Sequence, residues 1–272
     1  MTTPTTPPIL VTGGTGTLGR HIVPRLLDAG RDVRVLSRHP HDDGDGITHV
    51  TGDLATGEGI DAAVAGAEVV VHLAGSSKGD GDKARHLVDA AARAGVRHLV
   101  YISVVGADAI PQDSGIDRTM FGYFGAKRAA ERIVAGSGIP WTTLRATQFH
   151  DLVLTAVAGM SKLPVVPVPS GFRLQPVAAG DVAARMTELA LGAPSGLVPD
   201  IAGPRIYPMD ELVRSYLRAR GKHRLLVPVR LPGEGARAFR EGAALASDRA
   251  VGLGTWEEFL ADRVGAEVPA VP

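Results

Sequence analysis

Tyr123 and Lys127 lie four residues apart in a stretch of helical periodicity, a spacing that sets a phenol and an ammonium on one helix face, one turn apart. Such a pair can move a proton to or from a carbonyl or alcohol oxygen. A free phenol holds its proton roughly three units above neutrality, about 4 kcal/mol too tightly. The expected work of Lys127 is therefore to stabilise the phenolate and lower that value. Ser103, which closes the apolar run 98–102, can donate a hydrogen bond to the same substrate oxygen. A bland reading stands beside this one: Phe121, Tyr123 and Phe124 as a packing cluster, with Lys127 on its solvated edge. Gln148 and His150 follow the sixth strand-like run, where a substrate should lie. His150 is either a second proton-transfer group or a hydrogen-bonded structural residue.

A second constellation opens the chain. Residues 9–12 are an apolar run that breaks into Gly13-Gly14-Thr15-Gly16-Thr17-Leu18-Gly19 and then into helical periodicity starting near Thr17. Strand, glycine turn and helix N-terminus in that order form a dinucleotide site. Gly13 and Gly14 are expected to take backbone angles closed to other residues, Gly16 to admit a pyrophosphate, and Gly19 to let helix and strand close up. The free N–H groups and positive dipole end of the helix face the phosphates. An NAD site places a carboxylate after the second strand to accept from the ribose hydroxyls. Here Ser37-Arg38 stands there, with no acid before Asp42. Arg38 and Arg20 can reach a 2′-phosphate, so NADP(H) is expected in preference to NAD(H). Lys127 then has a second partner, the ribose of the nicotinamide nucleotide.

The elements that must position these residues alternate. Strands are expected at 9–12, 33–36, 47–50, 69–73, 98–102 and 141–145, and helices at about 17–29, 83–94 and 123–135, which specifies an α/β, Rossmann-like, doubly wound parallel sheet. Past His150 come helices at 151–160, 181–191, 209–220 and 256–264, with extended runs at 163–169, 197–202 and 225–229. We therefore divide the chain into an N-terminal tail (1–8), a dinucleotide-binding domain (9–150) and a smaller C-terminal substrate lobe (151–272), parts of which complete the sheet. The chain has 272 residues, 29 Lys plus Arg against 29 Asp plus Glu, and no Cys. Zero net charge argues against nucleic acid and anionic membranes as partners, and the missing Cys removes thiolate and Cys–zinc chemistry. No His, Asp or Glu group has metal-ligand spacing, and no apolar run spans a membrane. A cytoplasmic monomer or homodimer is expected. Between 150 and 180 only Lys162 and Arg173 are basic, which suits an apolar substrate better than a nucleotide sugar.

Across nearly its whole length the sequence resembles the atypical short-chain dehydrogenases/reductases of the NmrA-like, isoflavone-reductase-like, NAD(P)H-binding branch, of actinobacterial type. The resemblance rests on residues 12–19, Gly52-Asp53-Leu54, His72-Leu73-Ala74-Gly75, Ile102-Ser103, the Tyr123/Lys127 pair with Ala130-Glu131, and Leu144-Arg145-Ala146-Thr147. It implies pyrophosphate held by residues 13 to 19, adenine near Asp53 and Leu54, and nicotinamide near Ala74, Ser103, Lys127 and Ala146 to Gln148, with Leu73 and Gly75 also among the cofactor-binding residues. The expected activity is NADPH-dependent reduction of a carbonyl or conjugated double bond. Two alternatives stay open: an NmrA-like NADP(H)-sensing regulator without turnover, and a non-redox dehydratase or isomerase on the same scaffold.

Overall fold

The computed structural model describes residues 6–75 and 79–265. The first five residues of the expected tail, and Ser76 and Ser77 after the fourth strand, lie outside them. Pro7 accepts a hydrogen bond from Arg31 Nη2 at 3.2 Å, which ties down the end of that tail.

In chain order the elements are β1 (Ile9–Thr12), α1 (Gly19–Asp28), β2 (Val33–Ser37), β3 (Ile47–Thr51), α2 (Ile60–Val64), β4 (Val69–His72), α3 (Asp80–Arg93), β5 (His98–Val104), α4 (Gly115–Ala135) and β6 (Trp141–Ala146). There follow α5 (His150–Met160), β7 (Val165–Pro169), β8 (Arg173–Leu174), α6 (Ala179–Leu191), β9 (Gly196–Leu197), β10 (Tyr207–Pro208), α7 (Met209–Ala219), β11 (Leu225–Val229), α8 (Glu234–Glu241) and α9 (Trp256–Gly265). Two compact units result. Residues up to 103, 122–145 and 182–199 form the first; residues 104–121, 146–181 and those from 200 on form the second.

The first unit is built on a seven-stranded sheet in the order β3-β2-β1-β4-β5-β6-β9, parallel in its paired strands. Strand β1, paired on one side with β2 and on the other with β4, is apolar on both faces because both are covered: Ile9, Leu10 and Val11 are fully buried. On one side α2 and α3 present Ile60, Ala84, Leu87 and Ala91 to Leu10, Val70 and Leu99. Register fixes where the chemistry sits, since Thr12 pairs with His72 and His72 with Tyr101. That row marks the carboxyl edge of the sheet, where ligands bind in doubly wound folds. Glu131 on α4 holds Arg145 of β6 through two hydrogen bonds of 2.8 Å, fixing the helix that carries Lys127.

In the second unit β7 and β11 pair in parallel, β8 and β10 antiparallel. Helix α4 enters this unit at its N-terminus, two turns earlier than the periodicity predicts. Ser114 caps it: Asp117 N donates to Ser114 Oγ at 3.0 Å and Ser114 Oγ donates to Asp117 Oδ2 at 2.6 Å. Phe121 lies against Phe239 and Phe172, with ring centroids 5.9 and 6.3 Å away. No described helix is long and apolar enough to cross a membrane.

Candidate active site

The glycine turn is tight for reasons that differ residue by residue. Gly13 has φ 72°, and a Cβ there would lie 2.9 Å from Ala74 N. Gly14 departs from expectation: its φ is not positive, and what it supplies is space, since a Cβ would meet Val35 Cγ1 at 2.9 Å. Gly16 N donates to Gly13 O at 3.0 Å, and a Cβ on Gly19 would collide with the Gly13 and Gly14 carbonyls. Thr15 and Gly16 are exposed, Thr17 is half-buried, and Leu18 is buried. Helix α1 begins at Gly19, two residues later than expected, with no acid in its first turn. Among the described residues the amides of Thr15, Thr17 and Leu18 donate to no carbonyl. An open glycine face, free amides and a positive helix end fit a dinucleotide pyrophosphate.

The flanking loops divide. Leu73 N donates to Thr12 O at 3.1 Å and Ala74 N to Thr12 Oγ1 at 3.3 Å, which locks the end of β4 to the glycine turn. Thr12 Oγ1 also lies 2.7 Å from His72 Nδ1, and burial, with the charge of Lys127, holds that imidazole down to a pKa of about 3. Arg20 and Arg38 are exposed and make no ion pair among the described residues, while Ser37 Oγ is hydrogen-bonded to His41 at 3.1 Å. Asp53 caps its own turn, accepting from Ala55 N at 2.8 Å. Leu54 is a core residue beside Leu36 and Leu87, so only its backbone is placed to meet a ligand.

Lys127 is buried, not on a solvated edge. Its ammonium lies 3.4 Å from Asp80 Oδ2, donates to Ile102 O at 3.3 Å, and stands 5.1 Å from the ring centre of Tyr101 and 5.8 Å from that of Tyr123. Gly75 presses on this pair, since a Cβ there would lie 2.7 Å from Lys127 Nζ. Asp80, the first residue of α3, is buried and also lies 3.7 Å from Lys83 Nζ. Sequence reasoning passed over it, because the helix was expected only from residue 83, whereas α3 begins at Asp80, directly after Gly79; an acid that follows a glycine ahead of a helix was the available signal.

Asp80 changes the electrostatics. Burial, and then the facing Asp80 carboxylate, push the Tyr123 phenol up to about 12. The expectation that Lys127 lowers it fails because the ammonium is held by Asp80 while the phenol is desolvated. Burial also holds Lys127 below the ordinary lysine value, against the opposing pull of Asp80. Ser103 follows Tyr101 by two residues along β5 and so shares its face. Its hydroxyl is buried and finds no hydrogen-bond partner among the described residues. The structure thus brings Gly75, Asp80, Tyr101, Tyr123 and Lys127 together, with Ser103 on the same sheet face.

Ala146, Gln148 and His150 belong to the second unit. Ala146 is buried and its carbonyl accepts from Val105 N at 3.0 Å. Gln148 is committed to structure: Oε1 accepts from Gln175 N at 3.3 Å and Nε2 donates to Ala244 O at 3.2 Å. Gln175 in turn holds Gly203 O and Ala246 N. His150 is buried between Phe259, 5.0 Å away, and Trp256, 6.1 Å away; burial lowers its pKa, and Nε2 has no partner among the described residues.

Residues 13–191 match the sequence profile of a family whose description is NAD(P)H-binding. The chain is 29% identical over 271 residues to a (4-alkanoyl-5-oxo-2,5-dihydrofuran-3-yl)methyl phosphate reductase of Streptomyces griseus, with 97% of this chain and 90% of that protein covered. It is 30% identical over 248 residues to a ceramide reductase of Caulobacter vibrioides, covering 84% and 74% of the two chains. Its fold is similar, with a TM-score of 0.77 and 20% identity over 94% of this chain and 99% of the other, to an NADPH-dependent quinone oxidoreductase from Escherichia coli complexed with NADPH. With two thirds of its length matched by that profile, the glycine turn included, the chain belongs to the NAD(P)H-binding family.

Proposed function

We propose that the protein is an NADPH-dependent oxidoreductase that reduces a carbonyl or conjugated double bond of an apolar small molecule in the cytoplasm. The observation that carries this reading is the buried cluster at the carboxyl edge of the sheet: a charged Lys127, a protonated Tyr123 and an unpartnered Ser103 hydroxyl. The names of the relatives, reductases of an acyl-furanone phosphate and of ceramide, support the reaction class.

The amides of Thr15, Thr17 and Leu18 hold the pyrophosphate, and the unpaired guanidinium groups of Arg38 and Arg20 take the 2′-phosphate, favouring NADP(H). When bound, the reduced nicotinamide supplies a hydride. Lys127, fixed by Asp80 and the Ile102 carbonyl, has a further N–H for the ribose hydroxyls. The backbone at Ala74 and Gly75 carries no side chain large enough to keep a ring away. Ser103 donates its hydroxyl hydrogen bond to the substrate oxygen, which satisfies a group otherwise buried without a partner. Tyr123 delivers the proton. A phenol near 12 is a poor base but still a stronger acid than an alcohol, so it suits reduction, in which an oxygen gains negative charge, better than alcohol oxidation.

The test is NADPH consumption, followed by absorbance, against a panel of quinones, enones and aliphatic ketones. Turnover of at least one class is expected. In Tyr123→Phe the turnover number should fall on the order of 10²–10⁴-fold with NADPH affinity retained. Tight NADPH binding with no turnover of any class, or full turnover in Tyr123→Phe, contradicts the assignment.

A further inference from the structure

The second unit carries an apolar surface that its own core does not use. In the β7–β11 ribbon Leu225 stands opposite Val165, Val227 opposite Pro167 and Val229 opposite Pro169. Alternation turns Val166 and Val168 inward, where they are buried. The other row faces out: Leu225 is 65% exposed, Val165 45%, Val227 38% and Val229 37%, and Leu163, just ahead of β7, is 47% exposed. Single exposed aliphatics are ordinary, but a contiguous row on one face marks a contact site.

Charge around this ribbon is one-sided although the whole chain is neutral. Residues 212–233 contain Arg214, Arg218, Arg220, Lys222, Arg224 and Arg230 and no acid, and residues 152–180 contain Lys162 and Arg173 and no acid. Because β7 and β11 run parallel and in register, Lys162 precedes one strand and Lys222 and Arg224 precede the other at the same end of the ribbon, while Arg230 follows β11 at the opposite end. These four are exposed, and none makes an ion pair among the described residues.

We infer that this ribbon seats the protein on an anionic lipid bilayer surface. Aliphatic side chains on one face, bracketed by unpaired cations, match an interface that offers hydrocarbon below and lipid phosphate above. A second copy of the chain is a poorer occupant, because a self-docked ribbon sets identical cations against each other, and Pro228 removes a donor from the open strand. Zero net charge, which led us to expect no attraction to membranes, averages over this local asymmetry. The inference stands apart from the proposed reaction.

Co-sedimentation with vesicles of phosphatidylcholine alone, or mixed with phosphatidylglycerol, tests it. The wild type should partition onto the mixed vesicles at least tenfold more than onto the neutral ones, and high salt should release it. Lys222→Gln/Arg224→Gln should weaken partitioning roughly 25-fold, fivefold for each cation removed. Leu225→Ser/Val227→Ser should weaken it as well, while both pairs retain the wild-type melting temperature and NADPH affinity. Equal partitioning onto both vesicle types, no partitioning, or unaltered partitioning in either folded variant overturns the inference. So does a dimer, seen by light scattering, that the Leu225→Ser/Val227→Ser pair breaks.

Discussion

Replacing Asp80 by Asn leaves the Lys127 ammonium buried with its nearest counter-charge removed. At 3.4 Å and an effective dielectric of about 20, the lost attraction is about 5 kcal/mol before relaxation. Breaking one side of a buried pair costs about 3–5 kcal/mol, and the Asn amide still offers an oxygen to the ammonium. We therefore expect a loss of about 3 kcal/mol near neutral pH, seen as a fall in melting temperature of roughly 6–12 °C. The pH dependence has a definite sign. Burial already lowers the Lys127 pKa in the folded state, and without Asp80, which opposes burial, it falls further. Between that lowered value and the ordinary lysine value the unfolded chain binds the extra proton, so stability rises with pH and the deficit shrinks in alkali. Urea unfolding of the wild type, Asp80→Asn, Lys127→Met and the double variant, at neutral and alkaline pH, isolates the pair. A coupling energy of about 2 kcal/mol or more is expected. A coupling below about 0.5 kcal/mol, or a deficit that grows in alkali, refutes the reasoning.

Three further outcomes follow from the same geometry. Gly75→Ala places a methyl group 2.7 Å from Lys127 Nζ and should displace the ammonium, lowering NADPH affinity and turnover about tenfold or more with a fall in melting temperature smaller than that of Asp80→Asn, since the pair is shifted and not removed; calorimetric titration beside thermal melting checks this. Arg38→Ala should weaken NADPH roughly 10- to 100-fold and leave NADH within about twofold, because only the 2′-phosphate contact is lost; titration with both nucleotides decides it. His72 stays neutral in the folded state down to about pH 3, so its contribution to stability is lost as pH falls from the ordinary histidine value toward 3. A His72→Asn variant should flatten that part of the stability–pH curve.

The glycine turn was legible because each of its constraints is local. A strand, a turn whose Gly13, Gly14 and Gly19 leave no room for a Cβ, and a helix start are written in consecutive residues; the task of Gly14 was misassigned, space against Val35 being a tertiary property, and α1 starts two residues later than expected. Lys127 and Tyr123 were legible as a helix spacing, but the group that governs them was not: Asp80 reaches Lys127 from another helix, and no periodicity records that meeting. The partner of Gln148 was hidden for the same reason, since Gln175 lies on a loop 27 residues further along the chain. The first two turns of α4 were hidden by Gly115 and Gly122, although the Ser114 cap was there to be read. The two compact units also interleave segments that a left-to-right division cannot separate, because α6 runs on into β9, which pairs with β6.

The most direct measurement is calorimetric titration of the purified protein with NADPH and NADH. Saturable binding of NADPH at one site per chain, tighter than that of NADH, is what the glycine turn, its free amides and the unpaired Arg38 require. Absence of binding by either nucleotide would contradict the account at its base.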